Sequence, residues 1–337
     1  MGWFLPADLV LGQRLVWPEL SPPWPLAALA AWVGAIAGTY SFNREVFPWM
    51  TTRMWLHQTL AGWGMRFFWW FIFFGIIALM PETLDWQAGV LVCVYLGAIA
   101  LWTRGGMVWS FKKLRLLSSA PDRLRSIVAE VSARMNLPVR RTWLLHSGSG
   151  AYALVYTGEL LFSERLLKLL PDEEVGAICA HELGHLGESK WTRTNRFLGW
   201  MAWAIPWLFF RPAVHAWGPG GVLAIGSASW IAVIMNRRHS RSLETRADGI
   251  AQSNELEAGT YARALERLHR ESLLPAVLPR RNLTHPDLYD RLLAVGVQPD
   301  YPRPTKPESS AWHGYLLFVL FVILAVANMA RFFAQAG

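Results

Sequence analysis

The sequence predicts a polytopic α-helical membrane protein whose hydrophilic segments fold into an α+β domain. Its 337 residues are 53% hydrophobic and only 17% charged, whereas a soluble domain carries about 25% charged residues. It holds 20 tryptophans, and tryptophan favours the membrane–water interface. Several segments are also long and apolar enough to cross a bilayer, which takes about 20 mostly apolar residues.

Six apolar segments are predicted to span the membrane. They cover residues 24–40, 60–80, 86–102, 197–217, 220–235 and 314–333. The fourth contains Pro206 and Pro212, so we expect it to kink or to be shorter than its apolar length. No basic stretch followed by an apolar core and a cleavage site opens the sequence, and no signal peptide is predicted.

The charges of the loops predict the orientation of these spans, because Lys and Arg are enriched on the cytoplasmic side. Basic residues concentrate in 41–59, 104–115, 190–196 and 236–246, whereas the loop 81–85 has two acids and no base. An external N-terminus followed by six spans puts all basic loops on one face. The hydrophilic segments 104–196 and 236–313 are therefore predicted to be cytoplasmic, between the membrane regions 1–103, 197–235 and 314–333.

The net charge of +8 fits basic loops that face anionic lipid. No basic stripe with exposed aromatics lies outside the apolar segments, so the lipid bilayer is an expected partner and nucleic acid is not. The two cysteines, Cys93 and Cys179, are too few for a disulfide framework or a thiolate zinc site. Both are predicted to be packed thiols.

The hydrophilic segments show the periodicity of globular structure. Residues 121–135 place apolar side chains three and four apart, which predicts a helix. A strand is predicted over 139–146, and strands 152–156 and 160–162 flank a turn at Thr157-Gly158. Pro171 and the three acids after it predict a helix running to about Ser189, because both suit a helix start. Residues 298–310 are predicted to be a Pro-rich linker.

The helix predicted from Pro171 carries His181, Glu182 and His185. Residues four apart share a helical face, so both imidazoles can reach one metal ion. Glu182 lies about 100° round the helix axis, where it can touch a metal-bound water without being a ligand. This is the His-Glu-x-x-His pattern of zinc proteases, in which the glutamate takes the proton of that water. The alternative is a pair of surface histidines on an amphipathic helix.

A third metal ligand must come from elsewhere, because catalytic zinc takes three protein ligands and keeps one position open. Glu244 is the candidate. Asp248 lies one turn later on the same face, where it can hydrogen-bond a ligand imidazole. Taken alone, Glu244 could equally be a solvated helix carboxylate.

These motifs together resemble those of the HtpX-like integral-membrane zinc metalloproteases, relatives of the CAAX prenyl protease. The resemblance covers residues 121–293 and includes the two apolar spans between His185 and Glu244. It implies a gluzincin-like α+β catalytic domain that binds zinc. It also implies that His285, in Thr284-His285-Pro286, stabilises the oxyanion, with Arg291 as its structural or substrate-side companion. The alternative for His285 is an ordinary histidine at a helix start.

The chain departs from that family at the hairpin on the substrate side. Gly150-Ala151-Tyr152-Ala153 stands where the family has a stretch like Asn-Ala-Phe-Ala. Ala151, Tyr152 and Ala153 are expected to contact the substrate, but the asparagine contact is missing. An extended substrate is expected to pair with this edge strand through its backbone.

The sequence thus predicts a zinc endopeptidase of the bacterial inner membrane, with its active site facing the cytoplasm. Its expected substrate is a peptide or a membrane protein, in quality control or precursor processing. A non-proteolytic scaffold or sensor is the alternative, but a structural metal site needs no base such as Glu182. A transporter would carry its polar residues within the spans. The sequence indicates no oligomeric state.

Overall fold

The computed structural model describes residues 24–48, 50–66, 68–277 and 286–305. Two predicted features, the span 314–333 and His285, lie outside the described residues. The chain divides into two compact units, with the boundary between Leu60 and Ala61.

The first unit contains helix α1 (Trp24–Val46), which covers the predicted span 24–40. Helix α2 (Thr52–Arg66) begins in this unit. Tyr40 and Thr52 are joined by a hydrogen bond of 2.7 Å between their hydroxyl oxygens. The Trp55 indole N–H donates to the Thr39 hydroxyl at 3.3 Å. Residues of the predicted span 60–80 fall on α2 and on α3 (Phe68–Leu79).

In the second unit, helix α4 (Trp86–Leu101) covers all but the last residue of the predicted span 86–102. A π turn (Trp102–Gly106) joins it to α5 (Met107–Lys113). The N-terminus of α4 is capped by the Asp85 carboxylate, which accepts hydrogen bonds from two backbone N–H groups. The stretch Trp86–Lys113 is one of two described helices that are long and apolar enough, by length and composition, to cross a membrane.

The predicted span 197–217 is not a single helix. It falls on α9 (Lys190–Ala202), α10 (Ile205–Leu208) and α11 (Phe210–Trp217). Pro206 lies in the first turn of α10, where its missing N–H does least harm. The interruption that the prolines suggested is therefore present.

The other candidate membrane span is α12 (Pro219–Ser253). It contains 35 residues, about 50 Å of helix at ~1.5 Å per residue. The predicted span 220–235 continues in it without a break into the segment that carries Glu244 and Asp248. No break in the helix marks the boundary predicted at residue 236.

The second unit contains a four-stranded sheet in the order β1–β2–β4–β3. Its strands are β1 (Leu117–Ser119), β2 (Arg141–Leu145), β3 (Ala151–Leu154) and β4 (Glu159–Ser163). Strands β2 and β4 are parallel, and the other two pairs are antiparallel. The predicted strand and hairpin are present, and β1 was not predicted. Strand β3 forms one edge of the described sheet.

The central helix of the second unit is α8 (Asp172–Leu186), whose residues from Glu174 to Leu186 are buried. It packs against α6 (Asp122–Met135), α12, α13 (Thr260–Glu271) and strand β3. The remaining helices are α7 (Glu164–Leu169) and α14 (Leu288–Ala294). Val175, Cys179 and Leu183 are fully buried on α8. Helix α8 is therefore a core helix, and polar residues on it lie inside the protein.

Candidate metal centre

His181, His185 and Glu244 come together where α8 meets α12. One potential ligand atom from each lies within 4.8 Å of the others. The Nε2 atoms of His181 and His185 are each 3.6 Å from a different oxygen of Glu244. The two imidazoles are nearly perpendicular, with centroids 5.0 Å apart. The histidines are 6% and 7% exposed, which excludes the alternative of a surface pair.

Asp248 and Tyr261 hold the imidazole of His181 through its Nδ1 atom. Its Nδ1 lies 3.0 Å from an oxygen of Asp248 and 2.8 Å from the Tyr261 hydroxyl. A carboxylate only accepts hydrogen bonds, so Nδ1 carries a proton, and in the neutral imidazole Nε2 keeps its lone pair. Asp248 thus lies where the sequence predicted it, with its carboxylate on a candidate ligand. Tyr261 was not predicted, and its hydroxyl donates to Asp248 at 2.6 Å.

The imidazole of His185 is held by a second carboxylate that the sequence reasoning missed. Its Nδ1 lies 3.1 Å from an oxygen of Glu188, which is 4% exposed. Arg196 donates to the same oxygen of Glu188, and its Nη2 is 3.3 Å from His185 Nδ1. The spacing of three residues from His185 to Glu188 could have revealed this contact, because such residues neighbour each other on a helix.

Arg291 lies behind the site, on α14. It is 8% exposed and donates to both oxygens of Asp248, at 2.9 and 2.7 Å. It also donates to the Tyr261 hydroxyl at 2.7 Å. Its guanidinium is thus engaged with Asp248 and Tyr261, which favours the structural part of its predicted role over the substrate-side part.

Negative charge around the imidazoles favours a cation at their centre. Burial would lower the pKa of His185, but the carboxylates of Glu188 and Glu244 outweigh it and raise that pKa to about 9. The pKa of His181 is raised in the same way, because Asp248 and Glu244 outweigh the effect of burial. A metal ion can take the place of these protons, since binding requires neutral imidazoles.

Glu182 lies between the two histidines in sequence, on the same buried helix, and is 9% exposed. It directly follows His181 on this helix, and its charge raises the pKa of both His181 and His185. The structure therefore brings the predicted base and the predicted ligands into one site. His285, the predicted oxyanion stabiliser, lies outside the described residues, which resume at Pro286.

The predicted substrate residues lie on the edge strand β3, which packs against α8. Tyr152 is 39% exposed. Ala151 and Ala153 pack partly against the core. Of the three side chains, Tyr152 is the one most open to solvent, and the other two residues offer mainly their backbone.

Known proteins are similar to this chain over the segment that contains the candidate metal centre. Residues 118–296 match the model of peptidase family M48. The chain is 29% identical over 162 residues to a "Protease HtpX homolog" of Nostoc punctiforme, which covers 43% of this chain and 56% of that relative. It is likewise 29% identical over 164 residues to a "Protease HtpX homolog" of Acaryochloris marina, covering 43% of this chain and 55% of that relative. The chain thus spans about half the length of these relatives.

The family match takes in more than half of the chain and includes His181, His185 and Glu244. Sequence and geometry therefore lead to the same conclusion: the protein belongs to peptidase family M48 and is HtpX-like.

Proposed function

We propose that this protein is a membrane-embedded zinc endopeptidase that uses Glu182 as general base. The observation that carries the proposal is the convergence of two buried imidazoles and one carboxylate within 4.8 Å, with Glu182 beside them on α8. A purely structural site would need no such additional carboxylate.

The residues fit zinc. Two imidazoles and one carboxylate are a known ligand set of catalytic zinc, and three protein ligands leave one position open. Both Nδ1 atoms are occupied by carboxylates, so both Nε2 atoms are available to the metal. When bound, zinc supplies Lewis acidity, which polarises a carbonyl and makes water more acidic.

The side chains of the protein then have separate roles in the proposed reaction. Glu182 accepts a proton from the attacking water and returns it to the departing amine. Asp248 and Glu188 keep the two imidazoles oriented, and Arg291 and Arg196 balance the charge of these carboxylates. His285 would donate to the oxyanion, as the family resemblance implies.

The substrate would pair with strand β3 as an added strand. The hydrogen bonds of β3 to β4 use one side of its backbone, and its other side lies at the edge of the described sheet. Backbone pairing selects an extended shape more than a sequence. This would suit either turnover of damaged membrane proteins or processing of a peptide precursor.

The sharpest test is Glu182→Gln, which keeps size and hydrogen bonding but cannot accept the proton. We expect peptide hydrolysis by the purified full-length protein to fall at least about a hundredfold. Metal analysis should still find about one zinc per chain. Near-normal hydrolysis by this variant would falsify the mechanism.

A matched variant tests the ligands. His185→Ala should lose both zinc and activity, and full retention of zinc would contradict the assignment. If the wild-type protein binds zinc but cuts no peptide, the protein is a metal-dependent scaffold or sensor. The cellular substrate should accumulate uncut in cells with Glu182→Gln, visible on denaturing gels beside wild-type cells.

A further inference from the structure

A cavity of about 340 Å³ lies beside the edge strand. Its walls come from the end of α4, the π turn and the start of α5, from the end of β3 with the following turn, and from α9 and α12. They are mostly apolar, with a few polar groups at Thr103, Arg196 and Asn236. A concave, mainly apolar space with few polar groups is the usual character of a binding pocket. The volume suits one or two large side chains rather than a bulky cofactor.

Glycines shape one wall of this cavity. Gly105 has a φ of 134°, which residues with a side chain rarely adopt. A Cβ on Gly106 would lie 2.9 Å from the carbonyl oxygen of Leu101. The π turn therefore depends on this pair, and it places Trp102, Thr103 and Met107 on the cavity. Such π insertions occur frequently at functional sites.

The cavity and the candidate metal centre share a wall. Arg196 lines the cavity, and its guanidinium contacts Glu188 and the ring of His185. The Tyr156 ring meets the Phe197 ring edge-on at 6.2 Å, and both also line the cavity. One side chain thus separates the cavity from a candidate ligand.

The cavity also adjoins the strand that would pair with the substrate. Ala153 and Leu154 of β3 line it, as do Val155 and Tyr156 of the turn. Side chains alternate along an added strand, so every second one would lie on the cavity side. Apart from α9, the other walls belong to Trp86–Lys113 and Pro219–Ser253, the candidate membrane spans. Substrate segments leaving a bilayer are rich in apolar residues.

We infer that this cavity receives a large apolar side chain of the substrate next to the scissile bond. The enzyme therefore prefers polypeptides with a residue such as Phe, Leu or Met at one position. This inference rests on the proposed peptidase function and adds the chemical class of the substrate.

The test uses quenched fluorescent peptides that differ only by Phe or Ala, placed in turn at each position near the bond. For wild-type full-length protein, kcat/KM should favour Phe over Ala at one position by at least about tenfold, a typical discrimination by an apolar pocket. Thr103→Trp fills the cavity and should reduce this preference to about twofold, while the Ala peptide is still cut. Leu101→Trp is the control, because Leu101 is 75% exposed on the same helix and does not line the cavity. It should keep the wild-type preference.

Two results would overturn the inference while leaving the peptidase intact: no preference at any position, or an unchanged preference in Thr103→Trp. A second measurement does not need turnover. A peptide with a photoreactive benzophenone side chain at the preferred position, or at each position in turn, should crosslink Glu182→Gln protein within 102–108 or 153–156.

Crosslinking at these residues without any hydrolysis by the wild-type protein would refute the peptidase but retain the peptide pocket. Crosslinks confined to other segments would refute the pocket. A lipid that stays bound in native mass spectra of the wild type, but is absent from Thr103→Trp, would make the cavity a lipid site and also overturn the inference.

Discussion

The two imidazoles of the candidate metal centre are oriented by carboxylates that come from different parts of the chain. His181 uses Asp248 of α12, and His185 uses Glu188, which lies just beyond its own helix. In each case an arginine donates a hydrogen bond to the carboxylate: Arg291 to Asp248, and Arg196 to Glu188. Candidate ligand, carboxylate and arginine thus form two parallel relays, and in both the imidazole Nε2 is left on the side of Glu244.

The relay behind His185 predicts that Glu188→Gln weakens zinc binding. The variant keeps the shape of the side chain but removes the charge that supports the Nδ1–H of His185. We expect zinc affinity to fall about 10- to 100-fold, the usual effect of losing such a partner. A competition titration with a chelator measures it. Glu173→Gln, an exposed acid on α8, is the control, and equal losses in both variants would contradict the relay.

His285 carries a prediction that rests on the family resemblance. If it donates to the oxyanion, His285→Ala should lower kcat about as much as kcat/KM, by about a hundredfold. Zinc content should not change. Loss of zinc would instead make His285 a ligand or a structural support, and the role of Glu244 would need revision. An unchanged kcat would leave it as a helix-start histidine.

At the scale of elements, the site depends on how closely α12 approaches α8. A Cβ on Gly184 would lie 3.3 Å from the Cα of Ala247 and 3.4 Å from Ile250 Cδ1. Gly184 precedes His185, and Ala247 lies three residues after Glu244. The small residue in the His-Glu-Leu-Gly-His segment therefore lets the third candidate ligand reach the other two.

Gly184→Val should push these helices apart. Overpacking of this kind costs about 1–3 kcal/mol, and we expect a lower Tm together with weaker zinc binding, because Glu244 moves with α12. Gly249→Val is the matched control, since Gly249 is exposed on α12 and a Cβ there meets nothing within 4 Å. Thermal unfolding and zinc titration of both variants provide the comparison. Wild-type behaviour of Gly184→Val would show that the close approach is not required.

The sequence predicts most of the site where its geometry is local, with Glu188 as the exception, and it misses the contacts that are remote. His181, Glu182 and His185 follow from spacing along one helix, as do Glu244 and Asp248. Tyr261 is 80 residues from His181, and no spacing encodes that contact. Strand β1 has three residues and depends on pairing with β2, so its own pattern is too weak. The sequence predicts a boundary within helix α12 because the apolar pattern ends near 235. Residues 236–246 contain no Gly or Pro that would end a helix.

At the scale of the whole molecule, α12 contains both a candidate membrane span and the candidate metal ligand Glu244. It runs unbroken from Pro219 to Ser253, so a bilayer around 220–235 would place Glu244 beyond its far surface. Arg237, Arg238 and Arg241 follow that apolar stretch directly. Positive residues next to a span favour the cytoplasmic side. The distribution of charge therefore predicts that the candidate metal centre faces the cytoplasm.

Single cysteines at 83, 110 and 238 test this topology in intact cells. The background is Cys93→Ser, because Cys93 is exposed and not packed as the sequence predicted. Cys179 can stay, because it is fully buried. An impermeant thiol reagent should label position 83, which lies in the loop with two acids and no base. It should reach 110 and 238 only after the cells are permeabilised, which also shows that both thiols can react. Labelling of 110 or 238 from outside intact cells would contradict this topology, and labelling of 238 would place the arginine-rich end of α12, which carries Glu244, on the external face.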